Sequence, residues 1–220
     1  LRKQRMRQMS GGISEYFWSK DSKIFIPHQG NIYKLDTPFS SPDLIISATD
    51  YPTLDVKASP DGNFISFVCN GDIYLLEVGS SNPTRLTVGD DSCTRGLADY
   101  IAQEEMGRGT GYWWSPDSRY VAFTEVAEKH IPEFFINHVG SDTLGPSVIE
   151  SHRYPFAGQD NPRVRLGVVD VEACPHGGGD AESLHHGHRA VVARPPRDAL
   201  PIQEGPEVVR LHLGRMERDD

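Results

Sequence analysis

Near-copies of one turn set the frame for the chain. Trp18-Ser-Lys-Asp-Ser22, Ala58-Ser-Pro-Asp-Gly62 and Trp114-Ser-Pro-Asp-Ser118 each separate two apolar, alternating stretches. The stretches after the turns are Lys23-Ile-Phe-Ile-Pro27, Phe64-Ile-Ser-Phe-Val68 and Tyr120-Val-Ala-Phe-Thr124. The first two units go on through a tight turn into Gly30-Asn-Ile-Tyr-Lys-Leu-Asp36 and Gly71-Asp-Ile-Tyr-Leu-Leu-Glu77. Alternation of this kind makes half-buried strands, and Pro with Asp-Gly supplies the turn geometry. The turn serines Ser19, Ser59 and Ser115 are 59 − 19 = 40 and 115 − 59 = 56 residues apart. A period of about 40–45 residues with several strands per unit is that of a β-propeller blade. The fold class expected is therefore all-β, a partial β-propeller. An ordinary β-sandwich with one long surface loop is the alternative.

The second spacing exceeds the first by 56 − 40 = 16 residues. That surplus is about the size of the segment from Gly96 to Gly111, so the segment reads as an insertion into a repeat. Loops carry function while the scaffold holds them still. Leu97, Tyr100 and Ile101 follow the spacing of one buried helix face. Gly107, Gly109 and Gly111 forbid a long continuation, because glycine costs roughly 1 kcal/mol in a helix interior. Glu104 and Glu105 then sit near the end of a short helix, where the dipole disfavours negative charge, and they repel each other. Such a pair suits an outside cation: an ammonium group has donors enough to be shared between two carboxylates. A solvated acidic turn is the plain alternative.

The run Gln103-Glu-Glu-Met106, followed by Arg108 and Thr110-Gly-Tyr-Trp-Trp-Ser-Pro-Asp117, resembles the dipeptidyl peptidase IV family of serine peptidases, chiefly its bacterial and plant branches. Tyr154-Pro, Ala157-Gly and Asn161-Pro resemble a further run of that family, leading into the next strand. The resemblance implies an eight-bladed propeller when intact, of which about three to four blades are expected here. It implies that Glu104 and Glu105 hold the free N-terminal ammonium of a peptide substrate, so that Xaa-Pro or Xaa-Ala dipeptides are released. It also implies homodimerisation of the intact protein. Arg108 either pairs with one glutamate and orients it or is solvated. Tyr112, Trp113 and Trp114 are expected to pack the blade core. The sequence departs from the family pattern at Gly107 and Gly109, where a polar residue is expected, which loosens the loop.

A serine peptidase needs a nucleophile, a base and an orienting acid within reach of one another. In this family they belong to an α/β-hydrolase domain with a Gly-x-Ser-x-Gly elbow, and no such motif occurs in these 220 residues. No catalytic residue is assigned, and the expectation is a substrate-recognition fragment, inactive alone. A non-catalytic propeller that binds proteins is the alternative from another class. An unclosed propeller leaves a sheet edge exposed, so low solubility of the isolated chain is expected.

Residues 1–171 are taken as propeller and 172–220 as a disordered tail foreign to it, out-of-frame or mis-spliced sequence. All aromatic residues lie at or before Phe156, and the tail holds five of the nine histidines. Composition of this kind cannot easily bury a core. His176-Gly-Gly-Gly and the His185, His186, His188 group look like an oxyanion loop and a metal site, but neither has its context, so no metal and no cofactor are expected. The basic start, Leu1 to Ser10, with methionines three apart, reads plainly as a short surface helix, and the family resemblance implies a docking segment ahead of the propeller. A net charge of −9 argues against nucleic-acid binding. No apolar run approaches the ~20 residues that span a bilayer, and no secretory signal is evident at Leu1. Cys69, Cys93 and Cys174 are an odd, widely spaced set that implies no disulfide framework or zinc site; Cys69 reads as a buried thiol. A cytoplasmic, reducing compartment is expected.

Overall fold

The Ser-x-Asp turns fold the same way in each repeat. In each, the serine hydroxyl donates to the aspartate carboxylate two residues on. It accepts the N–H of the residue at, or just before, the start of the next strand: Lys23 at 3.1 Å, Phe64 at 2.9 Å and Tyr120 at 2.8 Å. The residue after the aspartate takes positive φ in every copy: Ser22 62°, Gly62 73°, Ser118 61°. The turns also touch one another. Gly62 lies against Lys20 so closely that a Cβ would come 2.4 Å from its backbone nitrogen, and the Ser118 hydroxyl accepts the Asp61 N–H at 2.9 Å.

The computed structural model describes residues 12–13, 15–89, 91–137 and 149–172. Its strands are β1 Phe17–Trp18, β2 Ile24–His28, β3 Asn31–Leu35, β4 Asp43–Ile46, β5 Leu54–Ala58, β6 Phe64–Cys69, β7 Asp72–Glu77, β8 Thr84–Arg85, β9 Cys93–Arg95, β10 Tyr112–Trp114, β11 Tyr120–Ala127, β12 Glu133–Asn137, β13 Ile149–Arg153 and β14 Arg163–Asp170, with one helix, α1 Tyr100–Glu104. Strands β1 to β4 form an antiparallel meander, and β5 to β8 form another. Their central hairpins turn on Gln29-Gly30 and Asn70-Gly71, both residues of each pair having φ between 49° and 83°. Such a turn matches the right-handed twist of its strands.

The third sheet is built on β11, with β14 on one side and both β9 and β10 on the other. These three sheets are successive blades of a partial β-propeller. The Tyr154-Pro to Asn161-Pro run leads into the next strand as expected, and that strand, β14, pairs with β11 over eight residue pairs, from Tyr120↔Asp170 to Ala127↔Arg163, completing the third blade. What separates β11 from β14 in sequence is an excursion containing the β12–β13 hairpin.

Two apolar layers hold the blades together. Phe25, Ile32 and Ile46 of blade one meet Val56, Ile65, Phe67, Cys69 and Leu76 of blade two. Val68, Ile73 and Leu75 of blade two meet Tyr112, Val121, Phe123 and Val169 of blade three. Blade two is covered on both faces. Its central strand β6 is consequently a continuous apolar run with only Ser66 polar, where a one-sided strand would alternate. Full burial of one side chain such as Phe67 is worth about 1.5–3 kcal/mol.

Candidate functional site

The insertion begins and ends at a single point on β11. Gly96 N donates to the Thr124 carbonyl at 3.0 Å, and Thr124 N donates to the Gly111 carbonyl at 2.8 Å. Residues 96 and 111 thus stand side by side opposite Thr124, and β9 and β10 are halves of one edge strand cut open between them. The Thr124 hydroxyl sits at the same neck, within 3.1 Å of the Leu97 carbonyl and 3.2 Å of that of Gly111. Glycine is required at both posts. A Cβ at Gly111 would lie 2.5 Å from the Leu97 carbonyl carbon, and one at Gly96 would lie 2.6 Å from Ile73, at φ 83°.

Helix α1 stands on this neck. Isolated helices under about 12 residues are marginal, so its five residues need outside support. Asp99 is the N-cap, its Oδ1 accepting the Ala102 N–H at 3.1 Å. Ala102 is buried, Gln103 Nε2 donates to the Ala98 carbonyl at 2.6 Å, and the Tyr100 ring meets Tyr154 edge-on at 5.0 Å. Glu104 is the last helical residue and Glu105 the C-cap, both exposed. The helix has no basic residue in its last turn. Both carboxylates therefore occupy the end where the helix dipole disfavours them.

The ion pair of Arg108 is with Asp99, at 3.6 Å, and its Nη1 donates to the Thr110 carbonyl at 2.9 Å. Its backbone N–H caps the Ala102 carbonyl at 2.8 Å. The guanidinium thus braces the two ends of the insertion against each other. Gly107, φ 62°, has open space around it. Of the aromatic triplet, Tyr112 is fully buried and Trp114 stacks on Phe64 with ring centres 6.5 Å apart. Trp113 instead turns outward, with Arg108 6.0 Å above its ring.

Beneath the insertion lies a polar group that sequence inspection passes over. Lys57 Nζ, on β5 of blade two, donates to Asp55 Oδ2 at 2.9 Å, to the Tyr112 carbonyl at 2.7 Å and to the Thr110 hydroxyl. It also sits 3.6 Å over the Tyr112 ring. Burial pushes its pKa down, against the opposing pull of Asp55. Tyr112 OH donates to the Asp55 carbonyl at 2.6 Å and lies 3.1 Å from the Ser66 hydroxyl, which accepts Trp114 Nε1–H at 2.8 Å. Burial raises the Tyr112 phenol well above its ordinary value. A lysine in a strand pattern carries no flag of its own, so only its neighbours reveal it. The docking segment at 1–10, the tail from residue 173, the His176 motif and the histidine group all lie outside the described residues. Among the described residues, no helix is long and apolar enough to cross a membrane.

A sequence profile described as the dipeptidyl peptidase IV (DPP IV) N-terminal region matches residues 16–182, well over half of the chain. The chain belongs to the dipeptidyl peptidase IV family. It is also similar to curated fungal proteins. A Penicillium rubens protein named as a dipeptidyl-aminopeptidase B is 34% identical over 52% of this chain and 14% of its own length. The Schizosaccharomyces pombe relative, named as a dipeptidyl aminopeptidase, is 36% identical over 52% of this chain and 15% of its own. The Aspergillus niger dipeptidyl-aminopeptidase B is 33% identical over the same share of this chain and 14% of its own. The matched stretch thus spans about a seventh of these relatives. In this dipeptidyl peptidase IV family chain, the two glutamates stand on an insertion into one propeller blade.

Proposed function

We propose that residues 96–111 form the amine-recognition element of a serine-type dipeptidyl peptidase, with Glu104 and Glu105 anchoring the free N-terminus of a peptide. The observation that carries this reading is the placement of both carboxylates at the exposed C-terminal end of α1, with no basic residue in its last turn. An arriving ammonium relieves their mutual repulsion and the unfavourable dipole together. With three donors it can serve both carboxylates at once. A peptide acetylated at its N-terminus has neither the charge nor the donors, so selectivity for free N-termini follows from the pair. Arg108 contributes indirectly, by holding Asp99 and hence the start of the helix. Release of Xaa-Pro or Xaa-Ala dipeptides is the activity proposed for the intact protein, and no hydrolytic step is assigned to a residue described here.

The test is calorimetric titration of the chain with Ala-Pro-Ala and with its N-acetyl form. The free peptide is expected to bind at least about tenfold more tightly, the scale of one hydrogen bond to a charged group. Glu104→Gln and Glu105→Gln should each remove most of that difference. Equal binding of both peptides contradicts the reading and favours the non-catalytic protein-binding propeller.

A further inference from the structure

We infer that Lys57 is a positioning residue for the glutamate-bearing insertion, clamping its C-terminal post to the neighbouring blade. The functional part of this inference rests on the amine-recognition reading; the mechanical part stands on geometry alone.

An ammonium group has three N–H donors, and the acceptors of Lys57 number the same: Asp55 Oδ2, the Thr110 hydroxyl and the Tyr112 carbonyl. Two of these belong to the end of the insertion and the start of β10. The remaining one belongs to β5, on blade two. Thr110 closes the ring by donating its own hydrogen to Asp55 Oδ2 at 2.6 Å. Asp55 is held for this task in the left-handed region, φ 48°, a conformation uncommon outside glycine. Its carbonyl is tied to Tyr112 OH at 2.6 Å, so backbone and side chain of one residue both reach across the seam.

The chain of contacts runs on to the glutamates. Thr110 gives its carbonyl to Arg108, Arg108 pairs with Asp99, and Asp99 caps α1, whose far end is Glu104 and Glu105. The neck at Gly96 and Gly111 fixes where the insertion leaves the β9–β10 edge, and Tyr100 against Tyr154 holds it on the side of the second excursion. The clamp at residue 110 adds an attachment to a different blade, which constrains its tilt from the other side. The clamp also suits lysine and no other cation. Its acceptors converge on a point, and the planar fork of arginine distributes donors differently.

Hydrogen exchange on the full chain tests the clamp, comparing wild type with Lys57→Met and Thr110→Val. Thr110→Val keeps shape and leaves the Lys57–Asp55 pair intact, so it reports on the tether even where Lys57→Met unfolds the chain. Both variants should speed exchange in peptides covering 97–111 by about tenfold or more, as for loss of a hydrogen bond to a charged group. Peptides covering 64–69 and 120–127 should stay at the wild-type rate in Thr110→Val. The preference for Ala-Pro-Ala over its N-acetyl form should fall in parallel. Wild-type exchange across 97–111 in Thr110→Val overturns the clamp. Faster exchange with an unchanged amine preference keeps the clamp and removes its positioning role. Faster exchange in a chain whose wild type shows no amine preference keeps the clamp and defeats the amine reading instead.

Discussion

Blades two and three begin from the same sequence unit and end as different objects. Blade two is an uninterrupted meander: β5, Ser-Pro-Asp-Gly turn, β6, Asn-Gly turn, β7, then β8. Blade three keeps the Ser-Pro-Asp turn but is opened twice. One opening splits its edge strand into β9 and β10 around α1, and the other replaces the tight turn between β11 and β14 with the segment holding β12 and β13. The two excursions meet at Tyr100 and Tyr154, and the ring contacts continue through Phe156 to Phe134. Blade two packs apolar side chains against a neighbouring blade on both faces. Blade three carries what protrudes. The pairing is mechanical as well as architectural, since the regular blade supplies Lys57 and Asp55 as the footing for its irregular neighbour.

The seam between them offers the largest effect. Arg95 is buried, with Asp72 at 3.2 Å on one side and Glu125 at 3.1 Å on the other. Arg85 and Arg165 supply each carboxylate with a second, more exposed partner, at 2.6 and 3.2 Å. Removing one partner of a buried ion pair costs about 3–5 kcal/mol. Arg95→Ala should fall at the lower end, because both carboxylates keep an arginine. Urea denaturation should show this loss, and a change under about 1 kcal/mol would mean that the seam is carried by its apolar layer alone.

A smaller effect separates the insertion from the blade that bears it. Asp99→Ala removes the N-cap of α1 and the partner of Arg108, worth about 1 kcal/mol. Amide exchange in 100–105 should quicken and amine preference should weaken, with the denaturation midpoint of the blades nearly unmoved. Equal loss in both regions would show that blade three and its insertion unfold as one unit.

The smallest effect lies at the footing. Glu15 is exposed, yet its pKa is raised, first by partial desolvation where it meets blade two and then by the nearby Asp55 charge. The native state therefore holds this proton more tightly than the unfolded chain does. Its contribution to stability falls as pH rises from the ordinary carboxylate range through the raised value. Glu15→Gln should flatten that fall and leave the protein slightly more stable than wild type at neutral pH. A steeper decline in the variant would reverse the assignment.

Much of this is legible in the sequence itself. The Ser-x-Asp turns announce themselves because their geometry is local, within five residues. The insertion was legible too, because a surplus of 16 residues in an otherwise regular spacing has to leave the sheet somewhere, and glycines marked both posts. The second excursion was legible only in outline: the stretch from Val126 to His138 and the run Gly140-Ser-Asp-Thr-Leu-Gly-Pro146 read as an irregular edge or extended hairpin, and β12 and β13 do pair as a hairpin, but its strands did not show. Phe134, Phe135 and Ile136 are all exposed on β12, so that strand has no buried face and no alternation to read. The return of β14 to β11 depends on pairs that are 163 − 127 = 36 to 170 − 120 = 50 residues apart, which no local pattern encodes. Lys57 and Arg95 were invisible for the same reason: each is explained only by residues from another strand.

The most direct measurement deletes residues 97–111, joining Gly96 to Tyr112. Gly96 already stands opposite Thr124 and Tyr112 opposite Phe123, so the deletion heals β9 and β10 into one edge strand and makes blade three resemble blade two. The account predicts a chain that still melts cooperatively and binds Ala-Pro-Ala no better than its N-acetyl form. A deletion variant that keeps the wild-type preference for the free amine would place recognition elsewhere and contradict it.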